Sequence, residues 1–406
     1  MTTDTTPPRP RGPVAPLPVS ILTGFLGAGK TTLLNRLVRD PALADTAVLI
    51  NEFGEIGLDH LLVEPIHDGV VMLTTGCLCC TVRGDLVTAL ERLLRDRDNG
   101  RVTFSRVVIE TTGLADPAPV LHTLMVHPYL VMRFRLDGVI TVIDAVTGNA
   151  TLDAHPEAIK QAAVADRLVL SKTDLVDRPE RQEAYRDLVR RLAVLNPGAR
   201  RLDVAKGEAT PKNLFDCGLY DPETKSVDVR RWLAEEAVAG AADHGHGHGH
   251  HGHDHAHGDH RHDDEHDQGH DEGHVHDRNR HDDHIRAFTL ATDEALPAAA
   301  FDMFLELVRS LHGPELLRLK GVVKLEDEPE RPLVVHGVQH LFHPPARLPA
   351  WPDQDHRTRL VVIAQDTAAD RIREMFAQFL SAVAPDRPDR AALMDNPLVP
   401  FGGIDR

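Results

Sequence analysis

Residues 21–34 read ILTGFLGAGKTTLL, and this stretch decides the fold of the first part of the chain. Within it, Gly24–Thr31 matches the pattern G-x-x-x-x-G-K-[ST], with an apolar run before it and an amphipathic segment after it. Glycines let backbone N–H groups turn towards phosphate oxygens, and the N-terminus of the following helix adds positive potential. The stretch therefore predicts a binding site for a nucleoside triphosphate, because a chance glycine-rich turn would lack these flanks.

The predicted contacts with the nucleotide lie in this loop. We expect Lys30 to reach the β- and γ-phosphates and the hydroxyl of Thr31 to bind Mg²⁺. Both are also predicted to be catalytic residues. The loop residues expected to bind the nucleotide are Gly24, Gly27, Ala28, Gly29, Lys30, Thr31 and Thr32.

Strand-like and helix-like segments alternate through residues 19–220. Buried-strand runs are TAVLINEFG, FSRVVIETTG, LDGVITVIDA and DRLVLSKTD, and amphipathic helical segments such as GDLVTALERLLRD and PERQEAYRDLVRRLAVL lie between them. This alternation predicts an α/β domain of the P-loop type, with a mostly parallel sheet covered on both faces. Ligands of such sheets bind at the carboxyl ends of the strands, which is where each polar motif of this region occurs.

A second motif, SKTD at residues 171–174, indicates which base is bound. It is similar to the N-K-x-D pattern of GTPases, with Ser171 in place of the asparagine. The carboxylate of Asp174 would accept hydrogen bonds from the ring N–H and amino group of guanine, and Lys172 would cover the base. The hydroxyl of Ser171 can still brace the loop. The alternative is that Asp174 merely caps the following helix.

Acidic residues follow two of the predicted strands. Glu110 ends the run RVVIE, where its carboxylate can hold Mg²⁺ through water, and we predict a catalytic role for it. Glu52, Glu55 and Asp59 lie in the loop INEFGEIGLD, which suits a switch that senses the γ-phosphate, and Glu52 is also predicted to be catalytic. Each of these residues alone could equally be a solvated loop charge.

Three of the four cysteines, Cys77, Cys79 and Cys80, lie in the stretch TTGCLCCTVRGD. Thiolates are soft ligands, and three at this spacing can converge on a thiophilic ion such as Zn²⁺. A strained disulfide, a redox pair or three buried structural thiols are the alternatives. Three ligands leave a tetrahedral ion one position short, and such an open site suits a metal ion that must be handed on.

Composition limits the classes of partner. The 406-residue chain has a net charge of -17, so nucleic acid and anionic membrane surfaces are unlikely partners, and it contains no apolar run long enough to span a membrane. Four cysteines without a secretion signal predict a reducing, cytoplasmic setting.

A histidine-rich tract at residues 244–284 divides the chain into two folded parts. It holds 16 of the 26 histidines, and its only apolar residues are Ala256 and Val275, so it is predicted to be disordered. The predicted segments are a disordered leader at 1–18, the first domain at 19–220, the linker with the tract at 221–284, a second domain at 285–385 and a tail at 386–406.

The second part predicts a smaller α+β domain. IRAFTLAT, LLRLKGVVKLED, PLVVHGVQHLFHPP and RLVVIAQD are predicted strands, and PAAAFDMFLELVRSLHG and AADRIREMFAQFLSAVA are predicted helices on one side of an antiparallel sheet. His336, His340 and His343 could bind metal, although surface or core roles fit them better. We expect this domain to bind a client or the first domain.

The motifs GFLGAGKTTLLN, NEFGEIGLD, GCLCC, ETTGLADP and SKTD, in this order, resemble the CobW-type family of metal-handling P-loop GTPases. The resemblance implies a GTP-hydrolysing metallochaperone for zinc, or sometimes cobalt. It also implies a metal site at Cys77, Cys79 and Cys80, with help from Glu52 and His127. The implied partners are GTP and GDP, metal ions, an apo-metalloprotein client and a nucleotide-dependent homodimer.

Two other functions remain compatible with these motifs. One is a nucleotide-regulated metal buffer or sensor that delivers no metal. The other is a P-loop phosphotransferase with structural cysteines, although no motif for an acceptor pocket is evident.

Overall fold

The computed structural model describes residues 15–51, 63–66, 70–75, 82–216, 285–343 and 345–383. The first domain is built on an eight-stranded sheet with the strand order β3-β4-β2-β5-β1-β6-β7-β8. All neighbouring strands are parallel except β3 and β4. Its strands are β1 Leu17–Gly24, β2 Thr46–Asn51, β3 Val63–Ile66, β4 Val70–Thr75, β5 Arg106–Glu110, β6 Phe134–Asp144, β7 Arg167–Ser171 and β8 Arg200–Asp203.

Helices connect these strands, and short 3₁₀ turns occupy Pro41–Leu43 and Thr173–Leu175. The helices are α1 Lys30–Leu37, α2 Val82–Asp98, α3 Ala118–Val126, α4 Pro128–Arg133, α5 Gly148–Ala154, α6 Pro156–Ala163, α7 Pro179–Leu195 and α8 Pro211–Leu214.

Strand β1 shows why the sheet is covered on both faces. Side chains of a strand alternate between the two faces of the sheet. Ile21 packs in one buried cluster with Leu90 of α2 and Leu121 of α3, whereas the adjacent Leu22 packs in another cluster with Leu34 of α1. The prediction of a mostly parallel α/β domain is confirmed.

Strand β1, which is predicted by the apolar run before the phosphate loop, begins at Leu17, so the predicted leader at 1–18 overlaps it by two residues. Several other elements of this domain were not predicted. Strand β4, with the sequence VVMLTT, leads directly into the cysteine stretch and pairs with β2 in parallel. The helices α3 to α6 and the strands β3 and β8 were also missed, because their segments are short or carry no clear periodicity.

The second domain is an antiparallel sheet with two helices on one face, as predicted. The strand order is β12-β11-β10-β14-β9, with β13 paired to β11. Rings of Phe304, Phe376 and Phe379 from the two helices meet within 5.4 to 6.2 Å and form the core over this face. Its elements are β9 Ile285–Thr292, α9 Ala298–His312, β10 Leu316–Val323, β11 Leu333–Val338, β12 Leu341–Phe342, β13 Ala346–Arg347, β14 Thr358–Gln365 and α10 Asp366–Val383.

The prediction of one strand over PLVVHGVQHLFHPP was wrong. The segment forms a hairpin of β11 and β12, because Gln339 adopts a left-handed conformation with φ of 53° and reverses the chain. His336 lies on β11, His340 in the turn and His343 after β12. His336 and His343 are buried with their ring centroids 5.3 Å apart, so these two have core positions.

The other face of the second sheet packs on the first domain. Leu317 of β10 and Ile363 of β14 contact Ala163 at the end of α6. The guanidinium of Arg318 donates hydrogen bonds to the carbonyl of Val164 and to the carboxylate of Asp166, and both charged groups are buried. Burial alone would raise the pKa of Asp166, but the charges of Arg318 and Lys320 lower it. The carboxylate therefore stays ionised and holds the two domains together.

Candidate functional site: the phosphate loop and its surroundings

The loop between β1 and α1 has backbone conformations that require glycine. Gly24, Gly27 and Gly29 have φ values of 138°, 74° and 95°, which side-chain-bearing residues rarely adopt. At Gly24 a Cβ atom would also lie 2.3 Å from the carbonyl oxygen of Val142 on the neighbouring strand β6. The glycines of the predicted motif therefore set the path of the loop.

Lys30 is buried at the start of α1. Its Nζ donates hydrogen bonds to the carbonyls of Gly24, at 2.8 Å, and Phe25, at 3.2 Å. Burial lowers the pKa of Lys30, and the nearby charge of Glu110 opposes this shift. The ammonium thus lies over the loop that is predicted to surround the phosphates.

Thr31 and Glu110 meet beside this lysine. The Thr31 hydroxyl donates a 2.8 Å hydrogen bond to Glu110 Oε1, which joins the start of α1 to the end of β5. Glu110 is buried at the carboxyl end of its strand. Hydroxyl and carboxylate oxygens are ligands that Mg²⁺ prefers, so these residues fit the ion, with the carboxylate acting directly or through water.

Ser171 braces the phosphate loop from the neighbouring strand β7. Its hydroxyl contacts the carbonyl of Ala28 at 2.6 Å and that of Ile143 at 3.2 Å, so it can donate to either. Gly29 comes within van der Waals distance of Ser171, because a Cβ built on the glycine would lie 3.8 Å from the serine Cβ and Oγ. The serine thus supports the loop directly.

Lys172 is held by Asp144, a residue that no sequence motif indicated. It adopts a left-handed conformation with φ of 56°, and its Nζ donates a 2.6 Å hydrogen bond to Asp144 at the end of β6. Burial alone would raise the pKa of Asp144, but hydrogen bonds from Lys172 and from the N–H groups of Val146 and Thr147 lower it. An aspartate directly after the apolar run of β6 was the available sequence signal for this anchor.

Asp174 is exposed on the 3₁₀ turn after β7. The N-cap of α7 is Arg178, so Asp174 does not cap that helix. Its neighbour Thr173 is fixed by a 2.5 Å hydrogen bond to Asp203. Among the described residues no group donates to the Asp174 carboxylate, which leaves it accessible to a ligand beside Lys172.

The predicted cysteine ligands Cys77, Cys79 and Cys80 lie outside the described residues. So do Glu52 and the other residues predicted for the switch loop, Glu55 and Asp59. Strands β2 and β4, which precede these two segments, are parallel neighbours, and Asn51 at the end of one pairs with Thr75 at the end of the other. Both segments therefore leave the sheet at the edge that also carries the phosphate loop.

His127, the remaining predicted metal ligand, lies between α3 and α4. Its Nδ1 is buried, and no hydrogen-bond partner for it exists within the described ranges. In the same part of the chain, no group of three or more His, Cys, Asp or Glu side chains is arranged to hold a metal ion. No helix there is long and apolar enough to cross a membrane.

A buried glutamine that no sequence motif indicated contacts the loop ETTGLADP. Gln161 of α6 is fully buried, and its Nε2 donates to the carbonyls of Gly113 and Ala115. With Phe25, Leu26 and Asp144 it lines a cleft beside the phosphate loop. A single glutamine in a short helix gives no sequence signal for such a contact.

Comparison with known proteins agrees with this geometry over most of the chain. The chain is 31% identical to the zinc chaperone YjiA of Escherichia coli over 362 residues, which is 89% of this chain and 98% of the relative. It is 32% identical to the zinc chaperone CobW of Pseudomonas aeruginosa over 379 residues, or 88% of this chain and 90% of the relative.

A solved structure extends the likeness to three dimensions. The crystal structure of the Zn(II)-bound YjiA GTPase from E. coli superimposes with a TM-score of 0.62 at 27% identity, covering 90% of this chain and 99% of that one. Residues 18–200 match the CobW/HypB/UreG nucleotide-binding domain, and residues 285–380 match the cobalamin synthesis protein CobW C-terminal domain. The chain therefore belongs to the CobW/HypB/UreG family, with the nucleotide-binding domain followed by the CobW C-terminal domain.

Proposed function

We propose that this protein is a GTP-hydrolysing metallochaperone that binds Zn²⁺, or Co²⁺, and transfers it to an apo-metalloprotein client under control of the GTP cycle. The observation that carries the proposal is the shared edge of the sheet. The phosphate loop, Glu110 and the starts of the segments that contain Glu52 and the cysteines all lie at the carboxyl ends of parallel strands. Nucleotide and metal chemistry can therefore meet there.

The nucleotide part of the proposal rests on described side chains. Lys30 would stabilise charge on the β- and γ-phosphates, and Thr31 and Glu110 would hold the Mg²⁺ that neutralises these groups when it is bound. Asp174 and Lys172 would select guanine, since one presents an accessible carboxylate and the other is fixed beside it by Asp144.

The metal part of the proposal rests on ligand chemistry. Cys77, Cys79 and Cys80 would supply three thiolates, which suit Zn²⁺ or Co²⁺, and Glu52 or His127 would complete the site. The buried Nδ1 of His127, which has no hydrogen-bond partner among the described residues, is compatible with such a role. The zinc chaperones to which the chain is similar support zinc as the cargo.

Exposed apolar side chains around the phosphate loop support a protein partner. Leu26 of the phosphate loop is 71% exposed, and Leu114, Val146 and Leu175 are exposed on the loops after β5, β6 and β7. Large apolar side chains that are exposed on loops at the same end of the sheet suit a site for a protein partner. We propose that a client, or a second copy of the chain when GTP is bound, covers these residues. The cytoplasmic setting remains a prediction from the cysteine content.

The test is the Zn²⁺ affinity of the protein loaded with GDP or with a non-hydrolysable GTP analogue, followed by transfer of the metal to an apo-client. The proposal requires that the two nucleotide forms differ in Zn²⁺ affinity and that GTP hydrolysis promotes transfer. A difference in affinity without transfer would instead favour the metal buffer or sensor. Equal affinities combined with phosphoryl transfer to another acceptor would favour the phosphotransferase.

A further inference from the structure

Gln161 donates hydrogen bonds to the loop ETTGLADP, residues 110–117. This residue of α6 lies 46 to 48 positions after the loop, and its Nε2 donates hydrogen bonds to Gly113, at 3.3 Å, and Ala115, at 2.9 Å. The glutamine side chain is fully buried, and its Oε1 has no hydrogen-bond partner among the described residues. The two donated bonds are therefore the polar contacts that fix this side chain to the loop.

The phosphate loop contacts the same segment at Gly113. A Cβ added to Gly113 would lie 2.6 Å from both the Cα and the backbone N of Leu26. Gly113 also follows Glu110, which bonds to Thr31, by three residues. The segment is thus held by both the phosphate loop and Gln161, so a displacement of Gly113 must change the glutamine contacts.

The C-terminal end of α6, just after Gln161, contacts the second domain. Asn196 Nδ2 donates to the carbonyls of Ala162, Ala163 and Ala165 and so fixes this end of the helix. Next to it, Arg318 donates to the carbonyl of Val164. One short helix therefore contacts the nucleotide-binding loop at Gln161 and the second domain one turn later.

Helix α3 also contacts the second domain, and it begins directly after the loop ETTGLADP. Leu121 shares a buried cluster with Val338 and Leu341 of the hairpin β11–β12. The rings of His122 and His340 lie 5.2 Å apart. Both helices that border the loop thus pack on the second domain.

We propose that Gln161 is a positioning residue for GTP hydrolysis and that it couples the state of the ETTG loop to the second domain through α6. The proposal rests on the GTP hydrolysis proposed above. Gln161 holds the carbonyls of Gly113 and Ala115 where the loop contacts the phosphate loop, and a movement of the loop with hydrolysis is passed through the end of α6 to Arg318.

The test compares Gln161→Met with wild type and with Asn196→Leu. Methionine is close in size but donates no hydrogen bond, so it leaves the two loop carbonyls without their donor. Asn196→Leu removes an amide donor from the C-terminal end of the same helix, and Asn196 makes no hydrogen bond to the loop. We expect kcat for GTP hydrolysis to fall about tenfold or more in Gln161→Met, because the loop beside Glu110 loses its donor. GDP affinity should stay within about twofold of wild type, because the Gln161 amide donates to Gly113 and Ala115 and not to the phosphate loop.

A second measurement follows hydrogen exchange of the backbone amides in β11 with GDP and with a non-hydrolysable GTP analogue. In wild type these amides should differ in protection between the two nucleotides, and in Gln161→Met the difference should disappear. Asn196→Leu should keep the wild-type kcat even if its melting temperature falls as much as that of Gln161→Met.

The outcomes separate this inference from the proposed function. A wild-type protein that does not hydrolyse GTP would overturn the proposed function, while the exchange measurement, which needs binding alone, would still decide the coupling. Wild-type kcat together with an unchanged exchange difference in Gln161→Met would overturn the inference and leave the proposed function intact. Equal losses of kcat in Gln161→Met and Asn196→Leu would show that α6 acts through stability alone, which would also overturn it.

Discussion

Replacement of Asp174 by asparagine should change the base preference of the nucleotide site and little else. The carboxylate is exposed and accepts no hydrogen bond from any group in the described part of the chain, so its loss removes no contact that stabilises the fold. Surface substitutions of this kind usually change the free energy of unfolding by less than about 0.5 kcal/mol. The effect on nucleotide binding can therefore be measured on an intact fold.

The size of the effect follows from the contacts that guanine would make. A carboxylate that accepts from both the ring N–H and the amino group is worth about 1.5 to 3 kcal/mol, because the acceptor is charged. Since 1.4 kcal/mol corresponds to a tenfold change, the preference for GTP over ATP should fall about ten- to a hundredfold. Asparagine replaces one acceptor oxygen by an N–H donor, which matches the second carbonyl of xanthine, so affinity for XTP should rise.

The assay is competition of GTP, ATP and XTP against a fluorescent guanine nucleotide. Asp177→Asn is the matched control, because it makes the same change of charge at another exposed position in the segment before α7. The control should keep the wild-type preference. If Asp174→Asn also keeps it, the base is recognised by other residues and the role given to SKTD is wrong.

Four further predictions follow from the same residues. Lys30→Ala should abolish tight nucleotide binding or turnover while circular dichroism stays unchanged, because the ammonium aimed at the phosphates is lost; wild-type turnover would refute the role of the loop. Cys77→Ser, Cys79→Ser and Cys80→Ser should each weaken one stoichiometric Zn²⁺ site in calorimetry, most strongly with GTP bound, because a hydroxyl does not ionise near neutral pH; a residue whose variant binds normally is not a ligand. Removal of residues 244–284 should reduce the number of weakly bound ions and leave the tight site and GTP hydrolysis unchanged, since neutral imidazoles in a long tract form many weak sites; loss of the tight site would place the functional metal site in the tract. Asp166 has a lowered pKa in the folded protein, so it stabilises the fold when it is ionised. This contribution to the free energy of unfolding is present above the unfolded pKa of about 3.9 and is lost as the pH falls through the folded pKa. Asp166→Asn should therefore reduce the acid dependence of stability in denaturant titrations.

Local patterns predicted the glycine loop between β1 and α1, and long-range contacts account for what they missed. The loop from Gly24 to Thr31 is continuous in sequence, and its glycines are required by φ angles within the loop itself. Gln161, in contrast, acts on residues 46 to 48 positions away, and Arg318 reaches Asp166 across 152 positions. Such contacts depend on how the helices and the second sheet pack, which no local periodicity encodes.

Strand β4 was missed for a different reason. Its six residues, VVMLTT, lie immediately before the cysteines and carry no turn signal that separates them from the stretch TTGCLCC. This strand is important for function, because β4 fixes where the chain enters the cysteine stretch. The hairpin at Gln339 was likewise hidden, because a left-handed glutamine has no sequence signature, unlike a left-handed glycine.

The strand order determines how nucleotide state can reach the cysteines. Strand β4 is separated from β1, which carries the phosphate loop, by β2 and β5. Neighbouring strands lie about 4.8 Å apart, so three steps place the ends of β4 and β1 about 14 Å from each other, too far for a phosphate at one to bond to the backbone at the other. The segment after β2, which contains Glu52, and the segment after β5, which follows Glu110 and contains Gly113, leave the sheet between β4 and β1. The strand order thus offers these two segments as a route for coupling between GTP and metal, and the second of them is the one that Gln161 holds.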